Sequence, residues 1–244
     1  MIRNDYIRLN RLIATIVFLV SFIVYYDTMA PTVSYWDCGE FIAVSHTLGV
    51  PHPPGSPFFL LLGRIASMLP ITEDIAFRVN LLSPISSAFA VMFLYLVIVL
   101  LVANWKGGIK NYQDSLVSFG GGVIGSLTFA FTDSHWFNAV EAEVYAFSTF
   151  FTAIVVWLIL KWNEKADEIG NERYILIIAY MIGLATGLHL LNLLAIPFIA
   201  LIIYFKKYKP DWKTFGYTVA ITGIVFFLIH NVIIKGMPKI ADSI

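Results

Sequence analysis

Residues Tyr35–Phe59 read YWDCGEFIAVSHTLGVPHPPGSPFF and interrupt a chain that otherwise consists largely of apolar segments. This stretch holds two carboxylates, two histidines, the only cysteine and four prolines. Ionisable groups beside a bilayer are energetically costly, so a cluster of them indicates a functional site. We therefore take Tyr35–Phe59 as the segment that follows the first membrane span and carries the candidate site.

The composition is that of an integral membrane protein. Charged residues make up 13% of the 244 residues and hydrophobic residues 59%, whereas soluble domains carry roughly 25% charged residues. The mean hydropathy is +0.79. The formal net charge is zero and the basic residues are dispersed, which gives no support for nucleic-acid binding. A single cysteine, Cys38, excludes an internal disulfide and a thiolate metal cluster.

Local signals predict two short helices joined by a rigid turn. Ser34 is the predicted N-cap of a helix that ends at Gly49, with Asp37 at the capping-box position. HPPG at His52–Gly55 predicts the turn, because proline fixes φ. A helix over Pro57–Leu69 is only about 20 Å long. Since a hydrocarbon core is ~30 Å thick, we predict an interfacial or re-entrant helix there.

Longer apolar segments recur along the rest of the chain. The stretch 174–205 is too long for one span and short for two, so we predict two short helices joined near His189. This arrangement places 12 of the 16 basic residues on the cytosolic side, in agreement with the positive-inside rule. The sequence therefore predicts an all-α bundle of about seven transmembrane spans with a helical first external loop and a cytosolic N-terminus. The segments are Leu9–Thr28, 79–103, 115–132, 143–161, 174–205 and 214–234.

The first apolar segment has two interpretations. A signal peptide cleaved near Thr28–Ala30 is one of them. Pro31 is a poor residue after a cleavage site, and the full span length favours a retained signal anchor. Because no linker or repeat divides the chain, we predict one transmembrane module over residues 1–244. The sequence stops just after the last predicted span, and we therefore expect this module to be the N-terminal part of a longer protein.

Polar groups from separate segments collect at the predicted outer face, whereas a random scatter would populate both faces equally. Asp37 and Glu40 are three residues apart and share one helix face. A carboxylate desolvated at a membrane surface suits a general base; the alternative is that Asp37 caps the helix and Glu40 is solvated. The other outer-face groups are His46, His52, Arg78, Asn80, Asp133, His135, Glu141, Glu143, His189 and Asn192.

Two arginines are candidates for binding an anionic group. Arginine binds phosphate through a fixed fork of donors, so Arg78 is predicted to contact the phosphate of a lipid headgroup or of a lipid-linked substrate. Snorkelling to the interface is the alternative, and Arg64 is a second candidate. Glu141 and Glu143 would point to different sides of a helix, so at most one of them is expected to face the site, and Glu143 is the better placed if the helix begins there. A structural zinc site is not expected, but a divalent cation held by the candidate carboxylates stays open.

Five motifs occur in the same order as in a known membrane family. They are WDCGEF at 36–41, HPPGSPFF at 52–59, FRVNLLS at 77–83, EAEVYAF at 141–147 and GLHLLN at 187–192. By these motifs the sequence resembles a bacterial membrane family formerly of unknown function, related to the protein O-mannosyltransferases of the GT-C class. The resemblance covers most of residues 1–240, and its specific part is the pair WDxGEF and HPPG.

The resemblance implies a GT-C-like glycosyltransferase at the outer face of a bacterial inner membrane. Such an enzyme moves a mannose-type hexose from a polyprenyl-phosphate carrier to a Ser or Thr hydroxyl of a translocated protein, with inversion at the sugar. Asp37 then matches the base, Glu40 supports it, and Arg78 contacts the carrier phosphate. Cys38 and Gly39 separate the two acids, which are adjacent in the better-known mannosyltransferases, so which carboxylate is the base stays open. His52, Asn80, Glu143, His189 and Asn192 fall on motif positions and are expected to bind substrate, with Arg64.

Two other classes of function remain. A transporter would place ionisable groups and broken helices near the middle of the bilayer, whereas here the polar groups gather at one face. A lipid-binding membrane scaffold or subunit without catalysis would use the Asp37 loop only to dock a partner.

Overall fold

The computed structural model describes residues 3–53, 55–236 and 239, and these residues form helices joined by loops, without a β-strand among them. The all-α prediction is confirmed. In chain order the helices are α1 (Arg3–Asp27), α2 (Cys38–Thr47), α3 (Pro57–Met68), α4 (Ile75–Asn80), α5 (Leu82–Trp105), α6 (Tyr112–Ala130), α7 (Asp133–Ala139), α8 (Val144–Lys165), α9 (Glu172–Thr186), α10 (Ala195–Lys207) and α11 (Trp212–Leu228), with a 3₁₀ turn at Leu190–Leu194 and a π-helical end at Ile229–Ile234.

Membrane-spanning helices dominate the described chain. By length and composition five helical segments can cross a membrane, or six if α6 and α7, which meet at a bend of 70°, form one broken span. The remaining predicted span, the first half of the stretch 174–205, corresponds to α9. Its 15 residues reach about 22 Å and so fall short of a ~30 Å hydrocarbon core. The chain is therefore a polytopic helical membrane protein.

Helix α5 is the centre of the bundle, because α1, α6 and α8 all pack along it. α1 and α6 end, and α5 and α8 begin, at the same end of this bundle, which we call the site end. There the short helices α2, α3 and α4 pack on one another. Their apolar core includes the fully buried Cys38, Phe59 and Val79. The Phe59 and Phe41 rings meet edge to face at 5.3 Å, which fixes α3 against α2.

The start of α2 differs from the sequence prediction. The helix begins at Cys38, and the side chain of its N-cap residue, Asp37, makes no capping hydrogen bond. The prediction of Ser34 as N-cap is wrong, because the Ser34 hydroxyl donates instead to the Glu141 carboxylate. A contact across 107 residues therefore replaces the local cap, and the Asp37 carboxylate is left facing the surroundings.

The close approach of α2 and α3 gives a first testable prediction. A Cβ atom added at Gly63 would lie 2.7 Å from Ser45 Cβ, so Gly63→Ala is expected to force the helices apart and cost about 1–3 kcal/mol. We expect the melting temperature in detergent to fall by several degrees, since ~1 kcal/mol corresponds to about 2–4 °C at this size. Gly120→Ala in α6 is the control, because no atom of the described residues outside the adjoining turns of α6 lies within 4 Å of its added Cβ. Equal melting temperatures for the two variants would contradict the packing described.

Candidate active site

Asp37, Glu40 and His52 form one cluster at the site end. Glu40, in the first turn of α2, accepts hydrogen bonds from the His52 backbone N–H at 2.8 Å and from His52 Nδ1 at 2.6 Å. His52 Nε2 lies 3.9 Å from Asp37 Oδ2. The imidazole thus stands between the two carboxylates, and Glu40 fixes its orientation while Asp37 stays 58% exposed.

The contact between Glu40 and His52 favours the charged form of both groups. The hydrogen bond from His52 holds the pKa of Glu40 below its ordinary value. The same hydrogen bond raises the pKa of His52, and the charges of Glu40, Asp37 and Glu143 act in the same direction. Both groups are exposed to solvent, so this pair orients the site more than it stabilises the fold.

Glu143 extends the cluster into the protein. It is the N-cap of α8 and is only 6% exposed. Burial raises the pKa of Glu143 to about 7, and the charges of Asp37 and Glu141 add to the rise while His52 opposes it. A carboxyl group with a pKa near neutral can accept or donate a proton at working pH, which is typical of catalytic sites.

Glu141 lies next to Glu143, just before α8. The expectation that at most one of the two faces the site rested on helical alternation, which does not apply here because α8 begins only at Val144. The expectation stays a prediction. Both carboxylates are buried, and Glu141 Oε1 lacks a hydrogen-bond partner among the described residues. In the sequence, the two carboxylates can be recognised as the tripeptide EAE directly ahead of an apolar segment.

No lysine or arginine in the described part of the chain forms an ion pair with Asp37, Glu40, Glu141 or Glu143. Buried charges in proteins are usually paired, neutralised by protonation or bound to a metal. The cluster therefore carries excess negative charge, and a cationic or proton-donating ligand would be favoured there.

Asn80 is completely buried and holds the loops of the site together. Its amide nitrogen donates to the carbonyls of Ala30 and Thr32, at 2.8 and 3.0 Å. Its amide oxygen accepts from the Ala142 N–H at 3.0 Å and from Cys38 Sγ at 3.7 Å. These contacts occupy the side chain, so the geometry favours a positioning role over the predicted contact with substrate.

Asn80→Ala is therefore expected to lower stability by about 1–3 kcal/mol, because buried backbone groups lose their partners. We expect the melting temperature in detergent to fall and Glu143 to lose its fixed position. Asn138→Ala is the matched control, since within the described chain the Asn138 amide makes one hydrogen bond, to the Ser134 carbonyl in α7. A melting temperature unchanged from wild type would contradict the role given to Asn80.

The predicted break near His189 is confirmed, and it contacts the first loop. Ser56 Oγ donates to the Leu188 carbonyl and the Phe58 N–H to the Gly187 carbonyl, both at 2.8 Å. His189 lies against the Tyr145 ring at 5.0 Å, and desolvation lowers its pKa. The break therefore lies at the site end.

Asn192 keeps the chain bent at this break. Its buried amide donates to the carbonyls of Ala185 and His189, at 3.2 and 2.9 Å, and accepts from Thr152 Oγ1 at 3.0 Å. Its contact with substrate stays a prediction, as does that of His189.

The two arginines are engaged by backbone carbonyls. The Arg78 guanidinium donates to the carbonyls of Leu69, Glu73 and Asp74, and Arg64 donates to the carbonyl of His46. Both side chains are half-buried. Neither contacts the cluster in the described structure, so a contact with a carrier phosphate stays a prediction for both.

One group of residues is arranged so that it could hold a metal ion. Potential ligand atoms of Asp37, Glu40 and His52 all lie within 4.8 Å of one another. Oxygen and imidazole donors suit a divalent cation. Glu40 and His52 already satisfy each other by hydrogen bonds, so the geometry fits such an ion without requiring it.

The fold and this site define a polytopic helical membrane protein with a carboxylate–histidine cluster at one end of its bundle. The chain belongs to the family of the protein O-mannosyl-transferase TMEM260 N-terminal domain, whose model matches residues 37–212. The predicted relation to O-mannosyltransferases is thereby confirmed.

Two curated relatives carry the same name. The chain is 31% identical to the protein O-mannosyl-transferase tmem260 of Dictyostelium discoideum, over 81% of this chain and 24% of that protein. It is 29% identical to protein O-mannosyl-transferase TMEM260 of Mus musculus, over 61% of this chain and 19% of that protein. The chain thus spans about a quarter or less of the length of these relatives. No solved structure gives a significant match.

Proposed function

We propose that this chain is the membrane module of an O-mannosyltransferase of the GT-C class. It takes a mannose-type hexose from a polyprenyl-phosphate donor and transfers it to a Ser or Thr hydroxyl of a protein at the outer face of the membrane. The observation that carries the proposal is the cluster of Asp37, Glu40, His52 and Glu143 at one end of a helical bundle of this family. The bacterial inner-membrane location and the orientation stay predictions.

The cluster can perform the proton transfer that this reaction needs. Asp37 takes the proton from the acceptor hydroxyl, the hydroxyl oxygen bonds to C1 of the sugar, and the C1–O bond to phosphate breaks with its electron pair leaving on the phosphate. The exposed carboxylate of Asp37 can reach a protein acceptor. Glu40 acts through His52, which it orients toward Asp37. Glu143 is the second candidate base, because its pKa is about 7.

The leaving phosphate needs positive charge beside it. In the described chain the candidates are Arg78 and Arg64, after release from their carbonyl contacts, and protonated His52. A divalent cation at Asp37, Glu40 and His52 is the other source. Chelation separates these cases: loss of transfer in EDTA with recovery in Mg²⁺ or Mn²⁺ assigns the task to a cation, and unchanged transfer assigns it to the side chains.

The test uses the full-length protein in nanodiscs with a translocated acceptor protein. Labelled mannose is supplied either on polyprenyl phosphate or on a nucleotide, and the product is located on Ser or Thr by mass spectrometry. We expect transfer from the lipid-linked donor alone. Transfer from the nucleotide-linked donor would contradict the donor class, and binding of the lipid without any transfer would support the scaffold alternative.

A further inference from the structure

A second concave site lies at the end of the bundle opposite the site end. It is a groove of about 570 Å³ between α1 and α8, with α5 as its floor. The lining residues come from the first halves of α1 and α6, the second halves of α5 and α8, and Ile109 in the loop after α5. The groove therefore lies at the opposite end of these helices from Asp37. Its volume is that of an ordinary small-molecule site.

The groove is lined largely by helices that can cross a membrane. The parts of α1, α5 and α8 that line it belong to three of the segments able to cross a bilayer. Its floor is apolar and is formed by residues of α5 such as Leu96, Leu100 and Ala103. An apolar floor on membrane-crossing helices suits a hydrocarbon chain, because polar groups inside a bilayer would be left without hydrogen-bond partners.

The groove also carries positive charge. Arg11 of α1 and Lys161 of α8 are the charged residues that line it, and both are basic. The exposed Arg11 guanidinium has no hydrogen bond or ion pair with any residue that the structure describes. Lys161 pairs with Glu164 on the next turn of α8, so Arg11 supplies the larger uncompensated charge.

Aromatic and amide groups complete the polar edge. Tyr6 and Trp157 line the groove on its two sides, and such side chains are enriched where a membrane meets water. Asn10 also lines it and accepts a hydrogen bond from the buried Tyr95 hydroxyl at 2.9 Å. This pair ties the α1 wall to the α5 floor.

We propose that this groove binds an anionic glycerophospholipid of the leaflet at that end, with its phosphate at Arg11 and Lys161 and an acyl chain along α5. Charge complementarity favours an anionic over a zwitterionic lipid, because the described residues that line the groove include two cations and no carboxylate. The lipid joins α1 to α8 and supports the bundle from the end opposite the cluster. This proposal is independent of the reaction assigned to Asp37.

The test measures binding of phosphatidylglycerol and phosphatidylcholine to the full-length protein in detergent by native mass spectrometry. The variant Arg11→Gln/Lys161→Gln is compared with Arg8→Gln/Lys165→Gln. The control removes the same charge from the same two helices, and Lys165 pairs with Glu168 as Lys161 pairs with Glu164. Neither control residue lines the groove.

We expect the groove variant to weaken phosphatidylglycerol binding by roughly tenfold or more and to leave phosphatidylcholine binding unchanged, while the control stays within about twofold of wild type. Equal losses in the two variants would overturn the proposal, since they would show general attraction to basic helices. Unchanged phosphatidylglycerol binding by the groove variant would also overturn it. The groove would then hold another part of the protein, or no specific ligand.

A second measurement locates the lipid. Phosphatidylglycerol with brominated chains is added in detergent, and quenching of tryptophan fluorescence is compared between wild type, Trp157→Phe and Trp105→Phe. Trp105 lies at the same end of the bundle and is 86% exposed, but it does not line the groove. We expect Trp157→Phe to remove most of the saturable quenching. Loss of that quenching only in Trp105→Phe would place the lipid elsewhere and overturn the proposal.

Discussion

Replacing Asp37 by asparagine is expected to lower mannose transfer by the full-length protein by about 10²-fold or more, which is the usual loss when a general base is removed. The substitution keeps the size and shape of the side chain but removes its ability to accept the hydroxyl proton. It should leave the fold intact, because the Asp37 side chain caps no helix and is 58% exposed. The melting temperature in detergent is therefore expected to stay near that of wild type.

The control for this result is Asp133→Asn, which removes an exposed carboxylate from the start of α7 at the same end of the bundle. We expect it to transfer mannose at the wild-type rate. The transfer rate of Glu40→Gln is expected to lie between those of Asp37→Asn and Asp133→Asn, because the substitution weakens the orientation of His52 but removes no group that contacts the acceptor. Transfer by Asp37→Asn within threefold of wild type would remove Asp37 as the base.

The sequence was most informative where a feature is local. The ends of α3 follow from its proline and its apolar length, and the break near His189 follows from a segment too long for one span. The polar loops lie at one end of the bundle because successive spans cross the membrane in opposite directions. Each of these features depends on neighbouring residues or on the thickness of a bilayer.

Contacts between distant segments could not be predicted in the same way. Ser34 looked like a helix cap, yet it binds Glu141 across 107 residues. Asn80 sits in a motif beside Arg78 and looked like a substrate ligand, but packing buries it and satisfies it with three other segments. Such partners depend on how α4 docks against the loop before α8, and no periodicity in the chain encodes that docking.

Glu143→Gln is expected to remove a pH dependence of stability that wild type shows between about pH 5 and 8. The pKa of Glu143 is raised from 4.5 to about 7 in the folded protein, so the folded state binds its proton more tightly than the unfolded state does. Stability is therefore greatest below the unfolded pKa and falls as pH rises through the folded value. The full loss is of the order of 3 kcal/mol, from about 1.4 kcal/mol per pKa unit.

The measurement is the melting temperature of wild type minus that of Glu143→Gln, from pH 5 to pH 8. We expect this difference to fall by several degrees with rising pH, because glutamine stays neutral where the buried carboxylate must ionise. Glu73→Gln is the control, since Glu73 is exposed; its difference from wild type should not change with pH. A flat difference for Glu143→Gln would mean that the carboxylate is not desolvated as the structure shows.

Measuring mannose transfer by Glu143→Gln tests which of the two carboxylates, Asp37 or Glu143, is the general base. Asp37, Glu141 and His52 are the charged groups that act on Glu143, and the first two raise its pKa. If Asp37 is the base, Glu143→Gln retains transfer and Asp37→Asn does not. If Glu143 is the base, its loss lowers transfer by about 10²-fold, and the wild-type rate rises with pH through about 7 as the carboxylate ionises. In that case Asp37→Asn moves the rise to lower pH, because removing the negative charge of Asp37 lowers the pKa of Glu143.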